Sequence, residues 1–140
     1  MTKYICCFSG GKDSTAMLIH ILENNLPLDD IIYCDVGDWI WESAKTHIQK
    51  VEDKLNVKIN IIDITKELDT GFQRWGFPSF LNRWCTGFKR DKMREYLKNK
   101  YGERERALYN TLDTVPMKNN ELVKNFIQVM MSVIHLLMQK

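Results

Sequence analysis

The sequence predicts a three-layer α/β/α fold built on a mostly parallel β-sheet. Short apolar runs rich in β-branched residues alternate along the chain with longer amphipathic segments, which is the pattern of strands joined by crossover helices. A glycine-rich turn directly follows the first apolar run, as expected where a strand of such a sheet leads into a helix. The resulting β-α-β-α-β order makes the strands parallel and covers the sheet with helices.

The first half of the chain supplies these five elements in order. We expect a buried strand over residues 3–8, a helix over 13–24, a second strand over 31–34, a helix over 41–55 and a third strand over 57–64. The second helix is the clearest, because its apolar residues recur every three or four positions: Trp41, Ala44, Ile48, Val51 and Leu55.

The second half is less regular. Periodicity fades from Lys66 to Gly87, so an aromatic-rich packed loop is expected there, followed by a helix over 89–100 that stops near Gly102. Residues 107–115 are predicted to form a fourth strand. Residues 121–138 are predicted to form a very apolar helix. Polar residues interrupt it too often for a membrane span, so the core or a second copy of the chain should cover it.

Length and composition bound the class of protein. The chain has 140 residues, 44% of them hydrophobic, which suits a single domain over 1–140. A net charge of +2 is too near balance to argue by itself for nucleic acid or a membrane as partner. The first residues enter a strand pattern without a secretory signal, so a cytoplasmic location is expected.

The turn after the first strand is the most informative feature. Its glycines permit positive φ and a close backbone approach, while the free amides and the positive end of the following helix dipole attract an anion. Its lysine adds a mobile cation, and Asp13 is a candidate ligand for the Mg²⁺ that accompanies a polyphosphate. The alternative is a plain glycine turn. The predicted nucleotide-binding residues of this loop are Ser9, Gly10, Gly11, Lys12, Asp13 and Ser14.

A second candidate segment closes the second strand. Asp35 and Gly37 stand where that strand ends, and the carboxyl ends of parallel strands meet at one edge of a sheet. We therefore expect Asp35 to lie near the glycine loop, where its carboxylate can reach a ribose or a metal ion. The alternative is a carboxylate that only stabilises its own turn.

A third candidate segment is basic and contains a thiol. Arg83, Cys85 and Lys89 fall within seven residues of one another, so an anionic group can bind there. The adjacent cations would lower the pKa of Cys85 and make it a nucleophile, the alternative being a packing cysteine. The cysteines form no Cys-x-x-Cys pair and no zinc spacing: Cys6, Cys7, Cys34 and Cys85.

The glycine loop has the wrong order for the phosphate loop of kinases, since Cys6 replaces the first glycine and Asp13 follows the lysine. SGGKDS instead resembles the PP-loop of the adenine nucleotide alpha hydrolase superfamily. Together with Asp35-Val36-Gly37 and the segment from Arg83 to Lys89, it is similar to the phosphoadenosine phosphosulfate reductase family over residues 3–102. The resemblance implies a Rossmann-like (HUP) topology and a bound ATP or phosphoadenylyl sulfate with Mg²⁺. It also implies anion contacts from Arg83 and Lys89.

Residues 103–140 are predicted to form a divergent or truncated tail, because the motifs of the resemblance end before them. Reductases of the family use a cysteine near the C-terminus, whereas the last cysteine here is Cys85, and the ligands of an iron–sulfur cluster are also missing. The resemblance therefore favours a PP-loop ATP pyrophosphatase that transfers adenylyl or sulfur groups over the oxidoreductase reaction. Lys12, Arg83 and Lys89 would be its catalytic cations.

Two alternatives remain open. The chain could be a nucleotide-binding module without turnover or a shortened relative of the reductases, or it could be a subunit of a nucleic-acid modification (thiolation) system. The cations from Lys89 to Arg106 are compatible with RNA, but interleaved glutamates favour a solvated helix face.

Overall fold

In the part of the chain that the structure describes, the fold is a four-stranded parallel sheet with helices on both faces. A computed structural model describes residues 2–102 and 106–109. The strands run in the order β3-β2-β1-β4, with β1 Lys3–Cys7, β2 Asp30–Asp35, β3 Asn60–Asp63 and β4 Arg106–Tyr109. The helices are α1 Lys12–Glu23, α2 Glu42–Leu55, α3 Thr65–Trp75 and α4 Trp84–Tyr101. The predicted parallel α/β architecture is confirmed.

Alternating strand side chains enter two separate cores. Cys6 of β1 and Tyr33 of β2 belong to the core that α1 and α2 cover. Ile5 of β1 and Ile32 of β2 belong to the other, which α3 and α4 cover. Successive strand residues point to opposite faces, so the two cores explain why these strands read as continuous apolar runs.

The prediction of a loop from Lys66 to Gly87 is wrong for the first part of that segment, because α3 occupies Thr65–Trp75. The apolar residues Leu68, Phe72 and Trp75 recur at helical spacing, a signal that the predicted loop overlooks, and the residue that argues against a helix is Gly71. It is buried, and a Cβ atom built there would lie 2.4 Å from Cζ3 of Trp84. The glycine is therefore the contact point at which α3 and α4 pack together.

The boundaries of α4 and β3 also differ from the prediction. Helix α4 begins at Trp84, five residues earlier than expected, because the ring of Trp84 packs against α3. Strand β3 begins at Asn60, since the chain leaving α2 is still bonded to that helix. The N–H of Val57 donates to the carbonyl of Glu52 at 3.2 Å, and the N–H of Ile59 donates to Oε1 of the same glutamate at 2.7 Å.

Strand β4 extends the sheet beside β1, with Lys3 in register with Arg106. It begins one residue before the predicted strand over 107–115, whose later part lies outside the described residues. The apolar helix predicted over 121–138 also lies outside them. Within the described ranges, no helix is long and apolar enough to cross a membrane.

Candidate functional site

The glycine loop joins β1 to α1 in the conformation expected of an anion-binding turn. Gly10 has φ +79°, which strongly favours glycine. Gly11 is the N-cap of α1, and no side chain among the described residues caps the amides of the first turn. These amides have no intrahelical acceptors, so they can receive hydrogen bonds from a phosphate.

Ser14 holds the loop in this shape. Its hydroxyl is buried, accepts hydrogen bonds from N and Oγ of Ser9 at 3.2 and 2.9 Å, and donates to the carbonyl of Gly11 at 3.1 Å. Thr15 donates to the same carbonyl at 2.8 Å. Lys12 and Asp13, in contrast, are exposed at the start of α1. Serine therefore stabilises the turn, while the lysine and aspartate side chains face outward.

A cavity of about 390 Å³ opens beside the loop, at the carboxyl ends of β1 and β2. Small-molecule sites typically span roughly 300–1,000 Å³ and are mostly apolar with a few polar groups. Lys89 of α4 is the one charged residue among the described residues that line the cavity. The backbone from Cys7 to Gly11 forms one wall, and the other lining residues are Ile32, Tyr33, Cys34, Val36, Ile40, Ala44, Ile48 and Met93.

Asp35 lies at the same edge of the sheet but does not line the cavity, although both of its chain neighbours do. Its Oδ1 accepts a hydrogen bond from the N–H of Gly37 at 2.9 Å, which closes the turn after β2. Gly37 has φ +61°, and a Cβ there would lie 2.7 Å from Oγ1 of Thr65. The tight turn thus requires glycine and uses one carboxylate oxygen, which leaves the other available for a ligand.

The basic segment is divided by the fold. Lys89 lines the cavity with the glycine loop, but Arg83 lies at the N-cap of α4 with its guanidinium 5.2 Å from the ring centre of Phe80. Cys85 is half-buried against the core beneath α4 and does not line the cavity. Three residues of this segment are predicted to act at the site, and the structure brings only Lys89 of these three to the cavity wall.

Several cavity residues were missed by sequence reasoning. Ala44 and Ile48 stand four positions apart on α2, and Lys89 and Met93 stand four positions apart on α4. Residues at this spacing share a helix face, so the position of Lys89 already contained the signal for Met93. The sequence pattern predicts that the apolar residues of α2 belong to the core, and it does not predict that Ala44 and Ile48 also line a cavity.

The thiols near the cavity are poor nucleophiles. Burial and the neighbouring thiol of Cys7 raise the pKa of Cys6 to about 12, and burial together with Cys34 raises that of Cys7 to about 11. Burial also raises the pKa of Cys34, against the opposing effect of the Lys89 charge. The thiolate is the reactive form of cysteine, so these thiols are inert near neutral pH.

Iodoacetamide at pH 8 should therefore alkylate Cys6 and Cys7 far more slowly in the folded chain than after denaturation. At a pKa of about 11, roughly one Cys7 in a thousand carries the thiolate at this pH. Peptide mass spectrometry over a labelling time course measures the rates, and the denatured chain is the control. Equal labelling of Cys7 in both states would contradict the buried placement.

A parallel α/β sheet with an uncapped glycine loop and a cavity at its carboxyl edge defines a Rossmann-like protein of the nucleotide-binding type. The family model described as the phosphoadenosine phosphosulfate reductase domain matches residues 3–109, from β1 through β4. The chain belongs to the phosphoadenosine phosphosulfate reductase family, whose members bind nucleotide substrates. A search of curated proteins found no match.

The described residues contain no group of three or more His, Cys, Asp or Glu side chains placed to hold a metal ion. Asp13 is exposed at the first turn of α1. A Mg²⁺ ion at this loop would therefore take most of its ligands from the nucleotide and from water, as Mg²⁺ commonly does.

Proposed function

We propose that the chain binds an adenine nucleotide, ATP or phosphoadenylyl sulfate, with its phosphates on the Ser9–Ser14 loop and its nucleoside in the adjacent cavity. The observation that carries this proposal is the uncapped first turn of α1 opening beside the apolar cavity. The turn supplies anion-binding amides and the cavity supplies apolar walls, so one ligand with both characters fits the two halves of the site.

The reaction we propose is adenylyl transfer of the ATP pyrophosphatase type. A nucleophilic oxygen or sulfur of an acceptor forms a bond to the α-phosphorus, and the bond between that phosphorus and the bridging oxygen breaks. Pyrophosphate leaves with the electron pair. The loop amides and Lys12, with Mg²⁺, would stabilise the charge that develops on the leaving group, and Lys89 would stabilise charge on the cavity side.

The other predicted residues differ in what they can contribute to this reaction. Asp35 stands at the end of β2, where its free carboxylate oxygen would accept a hydrogen bond from a ribose hydroxyl. Arg83, stacked on Phe80 outside the cavity, would have to leave that ring to reach a phosphate. We assign Cys85 a packing role, because its side chain contacts the core beneath α4.

Thermal unfolding in the presence of ligand tests nucleotide binding. ATP with Mg²⁺, adenylyl sulfate and phosphoadenylyl sulfate are each added at a hundredfold excess over their dissociation constants, and a binding ligand should stabilise the fold by about 2.7 kcal/mol. Lys12→Ala should weaken ATP binding by about tenfold or more, because it removes a charged hydrogen-bond donor. Lys50→Ala, an exposed lysine of α2, is the matched control.

The absence of stabilisation by all three ligands would refute the proposal. Release of pyrophosphate from ATP, measured with candidate acceptors, separates a transferase from a module that binds without turnover. If ATP binds but no acceptor causes the release of pyrophosphate, the chain is a module that binds nucleotide without turnover and is not a transferase.

A further inference from the structure

An exposed group of aromatic rings lies beyond the carboxyl end of the sheet, outside the nucleotide cavity. We call it the aromatic rim: Trp39, Phe72, Trp75, Phe77 and Phe80. Phe77 and Phe80 are 76% and 83% exposed, and Trp75 is 45% exposed. Large rings exposed to this extent in one region mark a surface that binds something.

Three of the five rings are ordered by contacts with one another. Trp39, Phe72 and Phe77 meet edge to face, with the Phe72 and Phe77 centres 4.7 Å apart and the Trp39 and Phe72 centres 5.3 Å apart. The indole N–H of Trp39 donates to Asp69 at 3.1 Å, which fixes the orientation of that ring. Trp75 is held separately by Trp84, with 6.0 Å between the ring centres.

The acidic residues near the rim lie at its Trp39 end: Asp38 precedes that ring in the chain, and Asp69 accepts its indole N–H. Residues 70–90 contain no aspartate or glutamate, and their cations are Arg74, Arg83, Lys89 and Arg90. The guanidinium of Arg74 lies 5.0 Å from the centre of the Trp75 ring, and that of Arg83 lies 5.2 Å from the centre of the Phe80 ring. The rim thus pairs flat aromatic faces with positive charge.

We propose that the aromatic rim binds single-stranded nucleic acid, which is the acceptor brought to the proposed adenylyl-transfer site. Proteins that bind single strands stack bases on exposed aromatic rings and track the phosphates with arginine and lysine. The rim also adjoins the cavity: Trp39 lies between Val36 and Ile40, which both line it, and Lys89 follows Arg83 on the same helix. This inference rests on the proposed function for its acceptor role.

Charge argues against two other occupants. A two-fold contact between copies of the chain through this surface would gather Arg74 and Arg83 of both copies in one interface. Residues 110–140 carry Lys118, Lys124 and Lys140 against Asp113 and Glu121, so they offer no excess of negative charge. An anionic partner with stacking bases complements the rim better than either.

Fluorescence anisotropy with the full chain tests the proposal, using a labelled single-stranded oligonucleotide of mixed sequence, about 20 nucleotides long, as DNA and as RNA. Phe80→Ala should weaken binding by roughly five- to hundredfold, the usual effect of losing one stacking ring. Phe80→Leu should weaken it as well, since leucine retains apolar area without an aromatic face. Arg74→Gln should reduce the slope of log affinity against log salt by about 0.7.

Arg94→Gln is the charge-matched control, because Arg94 is exposed on α4 and is not stacked on a rim residue. It should change affinity less than twofold. Undetectable binding of single strands at low salt, or equal binding by Phe80→Ala and the unmodified chain, would overturn the proposal. A dimer that Phe80→Ala converts to a monomer, seen by sedimentation in the absence of oligonucleotide, would overturn it in favour of a protein interface.

A failure of the rim proposal can be distinguished from a failure of the proposed nucleotide site. Phe80→Ala should keep its stabilisation by ATP, because Phe80 does not line the cavity. Lys12→Ala should lose ATP affinity while retaining oligonucleotide affinity within about threefold. Nucleotide binding without oligonucleotide binding refutes only the rim proposal, and the reverse result refutes the nucleotide site.

Discussion

Replacing Asp30 by asparagine is expected to lower the free energy of unfolding by about 2–3 kcal/mol. The carboxylate is buried at the amino-terminal end of β2, where its side chain is 1% exposed. It accepts hydrogen bonds from Nζ of Lys100 at 2.8 Å, from the hydroxyl of Tyr101 at 3.0 Å and from the amide of Asn60. An asparagine would present an N–H₂ group to this ring of donors and leave at least one unpaired.

The magnitude is set below that of a fully buried pair because the Lys100 side chain is 39% exposed and therefore partly solvated. Urea denaturation measures the loss. Asp29→Asn is the matched control, since the adjacent carboxylate forms a more exposed ion pair with Lys3, and its replacement should lower stability clearly less than that of Asp30. Equal losses for Asp29→Asn and Asp30→Asn would show that burial at Asp30 contributes nothing.

The same cluster determines a pH dependence. Burial alone would lower the pKa of Lys100, but hydrogen bonds to Asp30 and Tyr96 outweigh it and raise this pKa above its ordinary value. A raised pKa in the folded state means that the stabilisation is complete below the ordinary lysine value and is lost only as pH rises beyond it. The contribution of Lys100 should therefore be constant through neutral pH.

Gly71→Ala is expected to destabilise the fold by about 1–2 kcal/mol, although alanine normally favours a helix over glycine by about 1 kcal/mol. The new Cβ would lie 2.4 Å from Cζ3 of Trp84 and 2.8 Å from Cε2 of Phe88, so α3 and α4 would have to move apart. Since Lys89 follows Phe88 on α4, the displacement should also weaken ATP binding in the proposed site. Chemical denaturation and the ATP-induced thermal shift measure the two effects.

Gly87→Ala provides the control on the partner helix. A Cβ at Gly87 has no heavy atom within 4 Å, so the helix preference should appear there as a gain of about 0.5–1 kcal/mol. The two glycine substitutions should thus have opposite signs. A gain in stability from Gly71→Ala would contradict the close packing of α3 on α4.

The parallel sheet and the glycine loop were predictable because both rest on local patterns. Apolar runs separated by crossover helices specify parallel strands, and Gly10 of the loop has a positive φ that other residues rarely adopt. Helix α3 was missed although Leu68, Phe72 and Trp75 recur at helical spacing. Gly71 disfavours a helix by local propensity, and only its contact with Trp84 explains why glycine stands there.

The candidate site also combines features that local sequence patterns predict with features that only tertiary contacts determine. Lys89 and Arg83 carry the same charge in one short segment, so residue type cannot separate them. The phase of α4 turns Lys89 toward the cavity, while Arg83 precedes the helix and stacks on Phe80. The extent of the domain and the part played by residues 121–138 remain predictions.

By itself, the sequence determined the order of strands and helices from β1 to β3, the anion-binding loop after β1 and the resemblance that the family match confirms. Those features depend on residues adjacent in the chain or spaced by one helical turn. Only the tertiary structure decided which cation reaches the cavity, that three donors meet the carboxylate of Asp30, and that Trp39, from the turn after β2, joins aromatic rings of α3 and the turn after it in one exposed rim. The physical reason is that the contacts behind these features join residues far apart in sequence: Lys89 with the glycine loop, Lys100 with Asp30, and Trp39 with Phe72.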